Sequence, residues 1–108
     1  MTVVLKAKLR GGIKYDNSVN VFVTSAPALG IYSQGETTIQ AKMALEDAVK
    51  SFLATAYDRG VLNKFLINAD FSPNEGYIKI EETEFKKKDY QDIFDLSIRH
   101  FLNPAVAR

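Results

Sequence analysis

The chain has 108 residues, 46% of them hydrophobic and 25% charged, with 14 Lys and Arg against 13 Asp and Glu for a formal charge of +1. A single domain of this size buries roughly 60 to 70% of the surface its unfolded form exposes, which leaves little area for a deep cofactor cavity. With no cysteine and a single histidine, His100, neither thiolate catalysis, a disulfide framework nor a histidine metal cage can be assembled, so no metal or cofactor is expected.

The amino-terminal third is the basic part, with Lys6, Lys8, Arg10 and Lys14 against Asp16 alone. Within it, Val3, Leu5, Ala7 and Leu9 alternate with Lys6, Lys8 and Arg10, the period of a half-buried strand. Gly11-Gly12 and Asp16-Asn17-Ser18 supply turn residues, and from Val19 the alternation resumes to Ser25, with Val19, Val21 and Val23 expected inward and Asn20, Phe22 and Thr24 outward. Pro27 limits this second strand, Gly30 permits a reversal, and Ile31–Gln34 forms a short third strand closed by Gly35. The three strands predict an antiparallel meander.

Thr37 with Gln40 three residues on is a helix start, and Gly60 after Arg59 is a stop. Between them Ala41, Ala44, Leu45, Ala48, Val49, Phe52, Leu53 and Ala56 recur on one stripe, while Lys42, Glu46, Asp47, Lys50 and Asp58 lie off it. This stripe is expected to cover the apolar side of the meander. Residues 61–67 are apolar and fit either an extension of the helix or a short extended piece, and Ser72 to Gly76 is a turn cluster. A strand is expected over Tyr77 to Phe85, and a second helix from about Asp89 to Leu102, with Tyr90, Ile93, Phe94, Ser97, Ile98, Phe101 and Leu102 on its apolar side and Pro104 as its limit. The expected architecture is α+β, a β-β-β-α-β core over 1–85 with a helical extension over 86–108, in one domain.

The stretch from Val21 through Ala41, continuing as an amphipathic helix through Leu53 and most specific at the corner Ser33-Gln34-Gly35-Glu36-Thr37 with the following Gln40-Ala41, resembles the HicB-type antitoxin domain, and the resemblance covers about residues 1–60. The resemblance implies a partial ribonuclease-H-like fold and inhibition of a small HicA-like ribonuclease by protein contact. In it Gly30, Gly35, Glu36, Thr37 and Gln40 act as fold residues: Gly35 lets the strand turn at close quarters, Thr37 caps, and Glu36 sets a negative charge near the positive end of the helix. Residues 76–108 offer one strand and one helix, too few for a ribbon-helix-helix or helix-turn-helix unit, so DNA is not an expected partner.

A ribonuclease-H centre needs clustered carboxylates, one of them on the first strand, and Val3 to Arg10 has none. The chain is therefore expected not to be an enzyme. Glu81, Glu82 and Glu84 read as a solvated edge, and His100 as part of the packing of the second helix. Lys6, Lys8 and Arg10 with Phe22 and Tyr32 are expected on the outward sheet face, a surface for a protein partner or for single-stranded RNA, whose bases stack on rings while cations meet phosphates. The plainer alternative makes them solvated strand residues, with the two rings under the second helix or in a contact between copies. A sheet of three strands with one helix is short of cover, so a homo-oligomer is expected. The apolar runs are short and no signal-peptide layout is present, so the expectation is a cytoplasmic protein with no membrane partner.

Overall fold

A computed structural model describes residues 3–59, 69–72, 77–80 and 87–102. In chain order the elements are β1 (Val3–Asp16), β2 (Val21–Ala26), a 3-10 turn at Pro27–Leu29, β3 (Ile31–Gly35), α1 (Thr38–Asp58), β4 (Ala69–Ser72), β5 (Tyr77–Ile80), a 3-10 turn at Lys87–Asp89, and β6 (Asp92–Leu102). The α+β class, the β1-β2-β3 meander, the single main helix and a further strand are as the sequence predicts.

The first strand is longer than its residues suggest. Gly11 and Gly12 do not turn the chain; β1 runs through both to Asp16, pairing with β2 from Gly12↔Ser25 to Asp16↔Val21. Each glycine instead admits an aromatic ring from one face. A Cβ on Gly11 would lie 2.7 Å from Phe94 Cζ, and one on Gly12 would lie 2.4 Å from Tyr90 Cδ1. The reversal falls at Asn17–Asn20, where Asn20 takes φ 53° and Asp16 Oδ1 accepts from the Ser18 amide at 2.9 Å and its hydroxyl at 2.6 Å.

The expected carboxy-terminal helix is a strand. β6 pairs antiparallel with β1 without a break from Val3↔Leu102 to Ile13↔Asp92. Its buried residues Leu96 and Ile98 alternate with exposed Asp95, Ser97 and Arg99, so residues 92–102 are part of the core and not a helical extension. β5 runs parallel to β1 at Lys6–Lys8 and carries β4 outside it. Because Gly12 pairs with both Ser25 and Ile93, and Lys8 with both Lys79 and Ser97, β6 takes one edge of β1 while β2 and β5 share the other. The expected strand over 77–85 is observed as Tyr77–Ile80; its remainder, Gly60, and the segments 61–67 and 73–76 lie outside the described residues.

The helix starts where its sequence says. Thr37 is the N-cap, its Oγ1 accepting from the Gln40 amide at 3.1 Å, and Arg59 ends the helix with its amide donating to Thr55 at 3.0 Å. Ala41, Leu45, Val49, Leu53 and Ala56 are buried against Ala7 and Leu9 of β1, Ala26 of β2 and Leu96 and Ile98 of β6. Gly35 lets this helix approach, since a Cβ there would come within 2.5 Å of the Ala41 nitrogen. Gly30, at φ 66°, closes the 3-10 turn before β3.

Burial in β2 is opposite to expectation. Thr24, expected outward, is 0% exposed and donates its hydroxyl to the Ala41 carbonyl at 3.0 Å, while Val19, expected inward, is 59% exposed in the turn. The side of β2 that meets the helix is therefore Phe22, Thr24 and Ala26. A buried hydroxyl is tolerated because the first turn of α1 supplies an acceptor.

Candidate interaction surface

With α1 on one side, the sheet, among the described residues, leaves its other side to solvent and to the segment before β6. Alternation and register bring to this open side Lys8, Arg10, Gly12 and Lys14 from β1, Val23 and Ser25 from β2, Tyr32 and Gln34 from β3, and Ile93, Asp95, Ser97 and Arg99 from β6. Lys8, Arg10, Lys14, Tyr32, Gln34, Asp95, Ser97 and Arg99 are exposed. At its centre the sheet is covered by one ring. Tyr90 lies on Gly12, and its hydroxyl accepts from Ser25 Oγ at 2.9 Å, which accounts for the burial of Ser25.

Gln91 fastens this segment to β1. Its amide donates to the Ile13 carbonyl at 2.9 Å, and its side-chain oxygen accepts from the Tyr15 amide at 3.0 Å. Beside the Tyr90 ring is a depression of about 290 Å³ lined by Lys14, Val23, Ser25, Tyr32, Asp89 and Tyr90. Its mouth carries one cation, one carboxylate and the 70% exposed ring of Tyr32. Arg10 stands opposite Asp95 across the β1–β6 ladder, so charges of both signs mix over the whole face.

Of the residues expected here, Lys8, Arg10 and Tyr32 share the face, and Lys6 takes its place by register opposite Arg99 and Tyr77. Phe22 does not join them. It stands opposite Tyr15 on the helix side, the two rings edge to face with centroids 5.0 Å apart. Neither ring lies under a second helix, since that element is β6. Gly30, Gly35, Thr37 and Gln40 shape the β3–α1 corner, and Glu36 is exposed just ahead of the cap. Tyr90, Ser25, Asp95 and Arg99 belong to the surface without having been singled out. Their signal is the adjacent glycine pair inside an alternating strand, a mark of close approach on both faces.

Among the described residues no group of three or more His, Asp or Glu side chains is placed to hold a metal ion, and no helix is long and apolar enough to cross a membrane. No protein-family profile, curated protein or solved structure matches the chain. The fold defines an α+β protein with one helix on one side of its sheet and a polar surface on the other.

Proposed function

We propose that this chain is a non-enzymatic, HicB-like antitoxin-type protein that acts by protein contact, using the open sheet face around Tyr32 to engage a small HicA-like ribonuclease. The observation that carries the reading is the character of that face: an exposed tyrosine amid Lys8, Arg10 and Lys14 on one hand and Asp89 and Asp95 on the other. Mixed charge around an aromatic anchor suits a protein surface of mixed charge. A single-stranded RNA platform asks for several stacking rings on a positive ground, and the placement of Phe22 on the helix side removes one of the two expected rings. The order meander, helix, further strand, with Gly35 and the Thr37 cap at the corner, agrees with what the resemblance implies.

The test is to search the adjacent reading frames for a short basic protein and to co-express it with the full chain. Where such a protein is encoded there, a stoichiometric complex that survives gel filtration, silences the partner's ribonuclease activity and is lost in Tyr32→Ala/Lys14→Glu is expected. Absence of a complex, together with binding of a single-stranded RNA oligonucleotide that falls steeply with salt and weakens in Tyr32→Ala, would replace the reading with the RNA-binding one.

A further inference from the structure

We infer that two copies of this chain join along the outer edge of β6, antiparallel and about a two-fold axis at Ser97, so that their sheets become continuous. The sheet has three outer strands among the described residues. β3 is 5 residues long and β4 is 4, short edges of the kind that resist pairing, whereas β6 is 11 residues long and, among the described residues, pairs with β1 alone. Among the described residues β6 has no guard other than its charges Asp92, Asp95 and Arg99, which a strand of matching charge can satisfy: the sequence Asp92-Ile93-Phe94-Asp95-Leu96-Ser97-Ile98-Arg99-His100-Phe101-Leu102 contains no Pro, Gly or Lys, and its register against β1 shows no bulge. Such a strand is a template for another of the same kind.

Its own charges select the register. In a symmetric antiparallel pair the residue on the axis faces itself, and residues equally far before and after it face each other. Full overlap of an 11-residue strand running from 92 to 102 puts the axis at Ser97. That register sets Asp95 of each copy opposite Arg99 of the other, and Leu96 opposite Ile98. Both members of each pair belong to the same side of the sheet, polar on the open face and apolar on the helix face. Moving the axis to Asp95 or to Arg99 would set like charges opposite each other. Maximum overlap and charge complementarity thus coincide, and two ion pairs flank the axis. The dimer leaves Tyr32, on the far edge of the sheet, available to a different partner, so it does not depend on the proposed function.

The experiment is the mass of the purified full chain by light scattering across a dilution series, with three variants. The unaltered chain is expected at twice its monomer mass. Arg99→Asp sets carboxylates against each other on both sides of the axis, while in the register with β1 it stands opposite Lys6, so the fold is expected to be retained and the dissociation constant to rise about tenfold or more. Asp95→Arg/Arg99→Asp restores the pairing and the dimer. Ser97→Cys, the sole thiol in a chain without cysteine, is expected to cross-link the two copies to each other on mild oxidation. A monomer at every concentration overturns the inference, as does a dimer indifferent to Arg99→Asp whose copies do not cross-link through position 97.

Discussion

The two faces of β1 meet the rest of the chain in opposite ways, and Gly11 and Gly12 put the contrast on adjacent residues. On the helix side, Gly11 gives room to Phe94, whose ring is held between β1, Leu45 and the Lys42 ammonium 4.8 Å from its centroid. On the open side, Gly12 gives room to Tyr90, a half-buried ring tethered through its hydroxyl to Ser25. One face is a packed interior, where any added atom must displace neighbours on every side. The other is a surface with a single plug, where the displaced group has solvent to go to. Interior packing resists change because its voids are already filled; the plug resists only by its own contact area and tether.

The largest expected effect is on the packed face. Leu45 is fully buried in the core cluster, and Leu45→Ala is expected to cost about 2–5 kcal/mol in a urea titration, with the cavity adding to the lost transfer free energy. Gly11→Ala comes next, at about 1–3 kcal/mol, because its Cβ would press Phe94 into the helix. Gly12→Ala is expected to cost less, close to the roughly 1 kcal/mol of the tether it breaks, since Tyr90 can swing outward. In the Gly12→Ala background a further Tyr90→Ala then changes little, and the double-mutant cycle measures the plug directly. Equal costs for the two glycine substitutions would erase the difference between the faces.

Much of the packed face is legible in the sequence. The Thr37–Gln40 spacing places the cap, and the stripe from Ala41 to Ala56 places the buried side of α1, because helical periodicity and capping are local signals. The open face is less so. In β2 the valines suggest an inward side, but its buried residues are Thr24, Ser25 and Ala26, and the two polar ones are each satisfied by a partner far along the chain, Ala41 and Tyr90. Residues 92–102 fit two periods at once: Phe94, Ile98 and Phe101 at helical spacing, and Phe94, Leu96 and Ile98 in alternation. What decides for the strand is the free edge of β1, which exists only once the sheet has formed. Tyr90 as a plug follows from Gly12 being seated beneath it, a pairing across 78 positions that no local pattern announces.

Thr37→Ala sharpens the comparison from the helix end without touching the sheet. It removes the acceptor for the Gln40 amide and is expected to cost about 0.5–2 kcal/mol, with Thr37→Ser retaining most of the stability. Because α1 seals only one face, the Tyr90 plug should stay in place, which its tyrosine fluorescence or a ring resonance can report.

The smallest effect belongs to the β1–β2 turn at the end of the open side. The Ser18 hydroxyl and then its amide, both donating to Asp16, hold that carboxyl below its ordinary value of 3.8, against an opposing desolvation and with a smaller contribution from the Lys14 ammonium. A carboxyl lowered in the folded state contributes stability that is fully present above its unfolded pKa and is lost as pH falls through the lower folded value. The melting temperature of the unaltered chain is therefore expected to exceed that of Asp16→Ala by a constant margin from neutral pH down to about 5, and the margin is expected to shrink below about 4. Since the carboxyl lies at the surface, added salt should weaken the Lys14 contribution first and leave the two hydrogen bonds. A margin that grows on acidification would show that the turn is held by something other than the charged carboxylate.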